Sequence, residues 1–104
     1  MPAERLSHPG FEAAPGLRVI TLDDDAVVFN PFSWETHLLN PAAALVLDIA
    51  AAAPCTEAAV AEVLAEVLDE DERPLAAEHA HRLLWELAGL RLLIERPAGP
   101  DEGR

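Results

Sequence analysis

The stretch WETHLLNPAAALVLDIA, residues 34 to 50, sets a strand directly against a helix. Residues 34 to 39 point alternately to two sides, as a strand does. Asn40 is a preferred N-cap, and Pro41 suits the first helical turn because its missing N–H would have no partner there. A helix from residue 41 to about residue 53 is therefore expected to fold straight back over the sheet that it leaves.

Two further strands are predicted upstream. LRVITL, residues 17 to 22, is rich in branched residues, and AVVFN, residues 26 to 30, follows it after an acidic turn at residues 23 to 25. Two such runs around a short polar turn are typical of a β-hairpin. Pro31 ends the second strand, and a PFS turn leads into the strand at residues 34 to 39. This predicts an antiparallel meander whose last strand lies at an edge.

Three helices are predicted from residue 41 onward. Pro54 ends the first, and Thr56 caps a second helix that has one apolar stripe and acidic residues opposite it. The stripe consists of Val60, Val63, Leu64, Val67 and Leu68. The third helix runs from about residue 75 to 88 and ends at Gly89, a plausible C′ residue, before a short closing strand at residues 90 to 97. This order predicts an α+β, winged-helix-like fold: a three-stranded antiparallel β-sheet followed by three α-helices.

The length of 104 residues suits one domain. Residues 1 to 16 carry proline and glycine without a period and are predicted to be a flexible N-terminal arm. Residues 17 to 96 are predicted to form the domain, and residues 97 to 104 a flexible tail.

The charge balance argues against two classes of partner. Seven basic and 19 acidic residues give a net charge of −12, which repels phosphate backbones and anionic lipid surfaces. Winged-helix domains commonly bind DNA through their third helix, but here that helix offers only Arg82, beside Glu78 and Glu86. No nucleic acid and no membrane is therefore expected as a partner. The lack of both a secretory signal and an apolar run of about 20 residues predicts a cytoplasmic protein.

No set of residues predicts catalysis or a metal. His79 and His81 lie about 200° apart on a helix, so they cannot share an ion. The three aspartates of the hairpin turn lack the alternating oxygen ligands of a calcium loop. Cys55 precedes a helix cap without a basic neighbour and is expected to be a spectator. The chain is therefore predicted to be no enzyme and to need no cofactor.

Trp85 is an unusual residue for its position. A helical wheel places it on the polar arc of the third helix, with Glu78, His81 and Arg82. Two interpretations remain open: Trp85 packs on the sheet at the edge of the apolar stripe, or it belongs to a contact surface, where aromatic and arginine side chains supply most of the binding energy.

The segment FNPFSWETHLLNPAAA, residues 29 to 44, followed by an apolar helix and a helix rich in valine and leucine, resembles the PqqD-like proteins. The similarity is greatest to the PqqD-family peptide chaperones of the HPr-rel-A systems, and it covers residues 17 to 96. The family usually has a glycine in the turn where this chain has Trp34.

The resemblance implies a non-catalytic module for recognising precursor peptides. Such proteins bind the leader of a ribosomally made peptide as an added strand against the third strand and beside the third helix, and present it to a modifying enzyme. An edge strand suits that role because its unpaired N–H and C=O groups can accept another strand. For the HPr-rel-A group, the resemblance implies that this enzyme is a protein related to HPr kinase.

The residues implied to bind the peptide fall into two groups. The edge strand would supply its main chain at Trp34, Glu35, Thr36, His37 and Leu38, and the third helix would contact leader side chains through His81, Arg82 and Trp85. Arg82 would suit an acidic leader residue, whereas a basic leader would suit the net charge. The same edge would also suit an interaction subunit or a homodimer with no peptide client, so the oligomeric state stays open.

Overall fold

The computed structural model describes residues 10 to 96, and the α+β class predicted from the sequence is confirmed. In chain order the elements are β1 (Gly10–Ala13), β2 (Arg18–Leu22), β3 (Asp25–Asn30), β4 (Glu35–Leu39), α1 (Pro41–Ala52), β5 (Cys55–Thr56), α2 (Glu57–Val67), a 3-10 helix (Arg73–Leu75), α3 (Ala76–Gly89) and β6 (Leu93–Arg96). The strands form two separate three-stranded antiparallel sheets, β2–β3–β4 and β5–β1–β6.

The predicted meander is the sheet β2–β3–β4, with β3 in its centre. Alternate residues of β3, namely Ala26, Val28 and Asn30, are buried on the side that faces the core. Because directly paired residues of antiparallel strands point to the same side, Leu39 of β4 lies on this inner side with Ala26. Within residues 10 to 96, β2 and β4 each have a neighbouring strand on one side only, so both are edges.

The predicted N-cap and first-turn proline are both present at the junction between β4 and α1. Asn40 Oδ1 accepts a hydrogen bond of 2.9 Å from the N–H of Ala43, and Pro41 is the first residue of α1. The helix therefore starts at the residue after the cap and turns back over the sheet, where Ala43, Val46, Leu47 and Ala50 are buried. It packs against β3 and β4 on one side and against β1 and α3 on the other.

The prediction of a loose arm up to residue 16 is wrong for its described part. Gly10–Ala13 is the central strand of the second sheet, and the side chain of Phe11 is 0% exposed. Phe11 pairs with Cys55 on one side and with Glu95 on the other. The GFEA segment has no alternating pattern of its own, and it becomes a strand through partners more than 40 residues away. Residues 1 to 9 and the predicted tail lie outside the described residues.

The end of α3 differs from the prediction by two positions. Gly89 lies inside the helix, and Arg91 takes the left-handed conformation instead, with φ 66°. The N–H of Arg91 donates to the Ala88 carbonyl, and the N–H of Leu92 donates to the Leu87 carbonyl, both at 3.0 Å. This is a Schellman motif with arginine where glycine is usual, and it directs the chain into β6.

Asn30 joins the sheet to the end of α3. It is the one buried polar residue of the described core, 3% exposed. Its Oδ1 accepts from the N–H of Phe32, and its Nδ2 donates to the carbonyl of Arg91. The β3–β4 turn and the α3–β6 turn are therefore held together by one side chain, which limits how far α3 can move from the sheet.

Candidate functional site

The outward edge of β4 is the first component of the candidate site. Among the described strands β4 pairs with β3 alone, so half of its main-chain groups face away from the sheet. Its side chains divide between two sides: Thr36 and Leu38 point outward, and Leu38 is 70% exposed. Glu35, His37 and Leu39 point to the inner side, and Leu39 belongs to the core.

A groove between β4 and α3 is the second component. It lies beside the end of β4, the first turn of α1 and the last two turns of α3, and its volume is about 320 Å³. Its lining residues are Leu38, Leu39, Asn40, Ala43, Glu86, Leu87 and Leu90. Leu39, Ala43 and Leu87 are buried and form its floor, while Leu38 and Leu90 are exposed at its rim. Glu86 is the charged residue of the lining.

The turn before β4 keeps a tight geometry despite Trp34. Asn30 pairs with Glu35 across a four-residue loop, and the N–H of Trp34 donates to the Asn30 carbonyl at 2.8 Å. Trp34 has φ 63°, in the left-handed region that a glycine would enter without steric cost. Its ring packs edge-on against Phe29, with 6.0 Å between the ring centroids.

His37 is directed away from the open edge. It pairs with Val28 on the inner side of the sheet, and its side chain is 19% exposed. Its Nε2 lies 3.6 Å from a carboxylate oxygen of Glu35, which is too long for a hydrogen bond, and this nitrogen is otherwise buried without a partner in the described part of the chain. The residues predicted on β4 therefore share one strand but face two ways.

The structure does not bring His81 and Trp85 to the groove. The Nδ1 of His81 and the indole Nε1 of Trp85 lie 2.8 Å and 2.9 Å from the same carboxylate oxygen of Glu57, at the start of α2. The Trp85 ring also meets Phe11 of β1 edge-on, with 5.1 Å between centroids. Of the two interpretations of Trp85, packing on a sheet is the one observed, and the sheet is the one that contains β1.

α3 therefore has two polar flanks, about 100° apart. The closed flank consists of His81 and Trp85, which contact α2 and β1. The open flank consists of Arg82 and Glu86 and continues into Leu90, the residue after the helix; Glu86 and Leu90 line the groove. Arg82 is exposed one turn before Glu86, so it is the one predicted helical residue on the side of the groove.

Glu86, Leu87 and Leu90 are lining residues that the sequence analysis did not single out. The i, i+4, i+8 spacing from Arg82 through Glu86 to Leu90 was the available signal, since it places the three on one flank. The choice between the two flanks depended on β1, because β1 and the start of α2 cover the other one.

The titratable side chains of residues 10 to 96 were also predicted to form no metal site. No three His, Cys, Asp or Glu side chains between residues 10 and 96 converge closely enough to bind an ion. His79 Nε2 lies 3.2 Å from a carboxylate oxygen of Glu72, whereas His81 contacts Glu57. Burial raises the pKa of the Cys55 thiol above its ordinary value, so the reactive thiolate is disfavoured. None of the described helices has the length and apolar character needed to cross a membrane.

Compared with models of protein families, with curated proteins and with solved structures, the chain matches none of them.

Proposed function

We propose that this chain is a non-catalytic peptide-binding module that takes the leader of a ribosomally made precursor peptide as a strand added to β4. The observation that supports the proposal best is that the open edge of β4 lies beside a groove whose floor is apolar. An added strand bonds to the free main-chain groups, and its alternate side chains enter the adjoining groove.

The groove favours a particular kind of leader segment. A side chain that enters it meets Leu39, Leu87 and Leu90, so an apolar residue fits there. The next residue of the added strand points to the other side of the sheet, where its side chain lies next to Leu38. Glu86 favours a lysine or arginine at the groove mouth, and the net charge of −12 attracts a basic segment from a distance.

The proposed partners follow from the resemblance to PqqD-like proteins. The bound leader is presented to a modifying enzyme, which in the HPr-rel-A setting is a protein related to HPr kinase. We place the complex in the cytoplasm, where precursor peptides are synthesised. The module contributes no catalytic group in this scheme, because its part is to hold the peptide main chain in an extended form.

An amide titration tests the proposal. A candidate leader peptide, chosen from short reading frames that neighbour the gene, is added to ¹⁵N-labelled protein, and shifts are expected at Glu35–Leu39 and at Glu86, Leu87 and Leu90. The indole N–H of Trp85 serves as an internal reference, because its bond to Glu57 lies on the closed flank. Its signal is expected to stay in place.

A matched pair of variants separates groove binding from non-specific attraction. Leu90→Glu puts a charge into the groove, whereas Leu75→Glu puts the same charge at a leucine of similar exposure, 42% against 37%, outside the groove lining. Leu90→Glu should weaken binding at least tenfold, by about 1.4 kcal/mol or more, while Leu75→Glu should leave it nearly unchanged. Equal effects would contradict the groove as the site.

The same edge supports a second candidate function, an interaction subunit or homodimer that pairs β4 with β4. In that case those amides of Glu35–Leu39 that point away from β3 would be protected from hydrogen exchange before any peptide is added. Rapid exchange in the free protein and slow exchange after peptide addition would favour the leader instead.

A further inference from the structure

The side of the β2–β3–β4 sheet turned away from α1 is unusually apolar for so acidic a chain. We call this side the outer face; its apolar members are Ile20, Leu22, Val27, Phe29, Trp34 and Leu38. Ile20 pairs with Val27 and Val27 pairs with Leu38, so one apolar row crosses all three strands. Ile20, Leu22 and Leu38 are each more than half exposed.

Trp34 supplies the strongest sign that this face is covered by a partner. Its main chain occupies the left-handed region at φ 63°, at a steric cost to the folded chain. Burial in the monomer does not offset that cost, because Trp34 is 81% exposed and contacts Phe29 by the edge of its ring. A large, exposed aromatic side chain beside a group of apolar residues is typical of an interface anchor.

The charges on this face select the partner. Two charged residues of the three strands point to the outer side, Arg18 and Asp25, as the pairing register shows. They have opposite signs and lie at opposite ends of the sheet, since Arg18 is opposite Phe29 and Asp25 is opposite Leu22. A two-fold axis perpendicular to the strands would bring each Arg18 towards Asp25 of a second copy. The face is therefore complementary to itself, as a two-fold interface requires.

We propose that the outer face packs against the outer face of a second copy of this chain, giving a sheet-on-sheet dimer. The six apolar side chains expose roughly 600 Å². Two copies would bury about 1,200 Å², at the lower end of specific interfaces. The dimer does not use the main-chain groups of the β4 edge, but it shares Leu38 with the rim of the groove.

Sedimentation equilibrium over a hundredfold range of protein concentration tests the proposal with the full chain. The unmodified chain should move from monomer to dimer across the range. Ile20→Asp, at an exposed position on β2, should remain monomeric throughout. Trp34→Gly relieves the backbone and removes the anchor, so it should weaken the dimer at least about tenfold while circular dichroism shows the fold retained. Leu75→Asp, outside the outer face, is the control and should dimerise like the unmodified chain.

Charge reversal tests the two-fold geometry. Arg18→Asp and Asp25→Arg should each weaken the dimer several-fold, and the double variant should recover most of the loss. A monomer at every concentration, or a dimer that Ile20→Asp leaves intact, would overturn the proposal. A dimer in which the amides of Glu35–Leu39 that point away from β3 become protected would overturn it as well, because it would show pairing through the edge of β4. Peptide binding by β4 is measured separately, and its failure would leave these outcomes unaffected.

Discussion

The two polar flanks of α3 are similar in sequence but differ in what surrounds them. Trp85 on the closed flank and Leu90 on the open flank have the same exposed fraction, 37%. Trp85 nevertheless has its ring against Phe11 and its indole N–H bonded to Glu57, whereas Leu90 borders a groove. An exposed fraction of 37% therefore does not distinguish a binding surface from an internal contact, whereas the unfilled space beside Leu90 does.

The largest effect on stability should come from truncating Phe11, which packs against Trp85 on the closed flank. Phe11→Ala deletes a fully buried ring from the centre of the second sheet, so the free energy of unfolding should fall by about 3 to 5 kcal/mol. Urea unfolding followed by circular dichroism measures this. Phe32→Ala, which truncates a phenylalanine that is largely exposed, is the matched control and should cost far less. A small effect of Phe11→Ala would mean that β1 is a loose arm after all.

A smaller effect on stability is expected from removing the Glu57 carboxylate, which contacts both His81 and Trp85. Glu57→Ala removes the acceptor for both His81 and Trp85, and the loss should be about 1 to 2 kcal/mol of stability. Glu62→Ala, on an exposed part of the same helix, controls for helix charge. Peptide affinity should not change in either variant. A marked loss of affinity in Glu57→Ala would indicate that the leader contacts the closed flank.

Local chemistry made part of this molecule predictable. The Asn40 cap, the proline after it and the Thr56 cap act within one helical turn, so the boundaries of α1 and α2 follow from adjacent residues. The hairpin around Asp23 follows from adjacent residues in the same way. The stripe predicted on α2 is only partly correct, because Val60 and Leu64 are buried but Val67 is 62% exposed. The edge position of β4 also follows, because the chain leaves the sheet for α1 at residue 40.

The wrong predictions concern segments whose structure is determined by residues far away in the sequence. β1 exists because Phe11 meets Cys55 and Glu95, and no pattern within residues 10 to 13 indicates such pairing. Once β1 was missed, the wheel of α3 gave no reason to prefer Arg82 and Glu86 over Trp85. The C′ position was wrong because a buried Leu92 bonded to Leu87 fixes the turn at Arg91, although Gly89 is the residue that tolerates it best.

Charge reversal on the open flank should have a moderate effect on binding. Glu86→Lys replaces the acidic residue of the groove lining. It should weaken the binding of a basic leader about tenfold, or by about 1.4 kcal/mol. Glu78→Lys changes the net charge by the same amount on the same helix but outside the groove, so its effect should be much smaller. Isothermal titration calorimetry at two salt concentrations compares them. Equal losses that vanish at high salt would mean that Glu86 acts only through the overall field.

The smallest expected effect concerns Cys55, which pairs with Phe11 behind the closed flank. Burial raises the pKa of its thiol above the ordinary value of 9.0, so the unfolded chain loses this proton at a lower pH than the folded one. The corresponding stability is present below pH 9.0 and declines as the pH rises from there towards the folded pKa. Urea midpoints between about pH 8 and pH 10 should show a shallow decline attributable to this group, which a Cys55→Ala variant lacks. A thiol reagent should react slowly with the folded protein and rapidly in urea.

Fast reaction in the native state would show that the closed flank opens readily. The two flanks of α3 would then differ only in how often they are accessible to solvent.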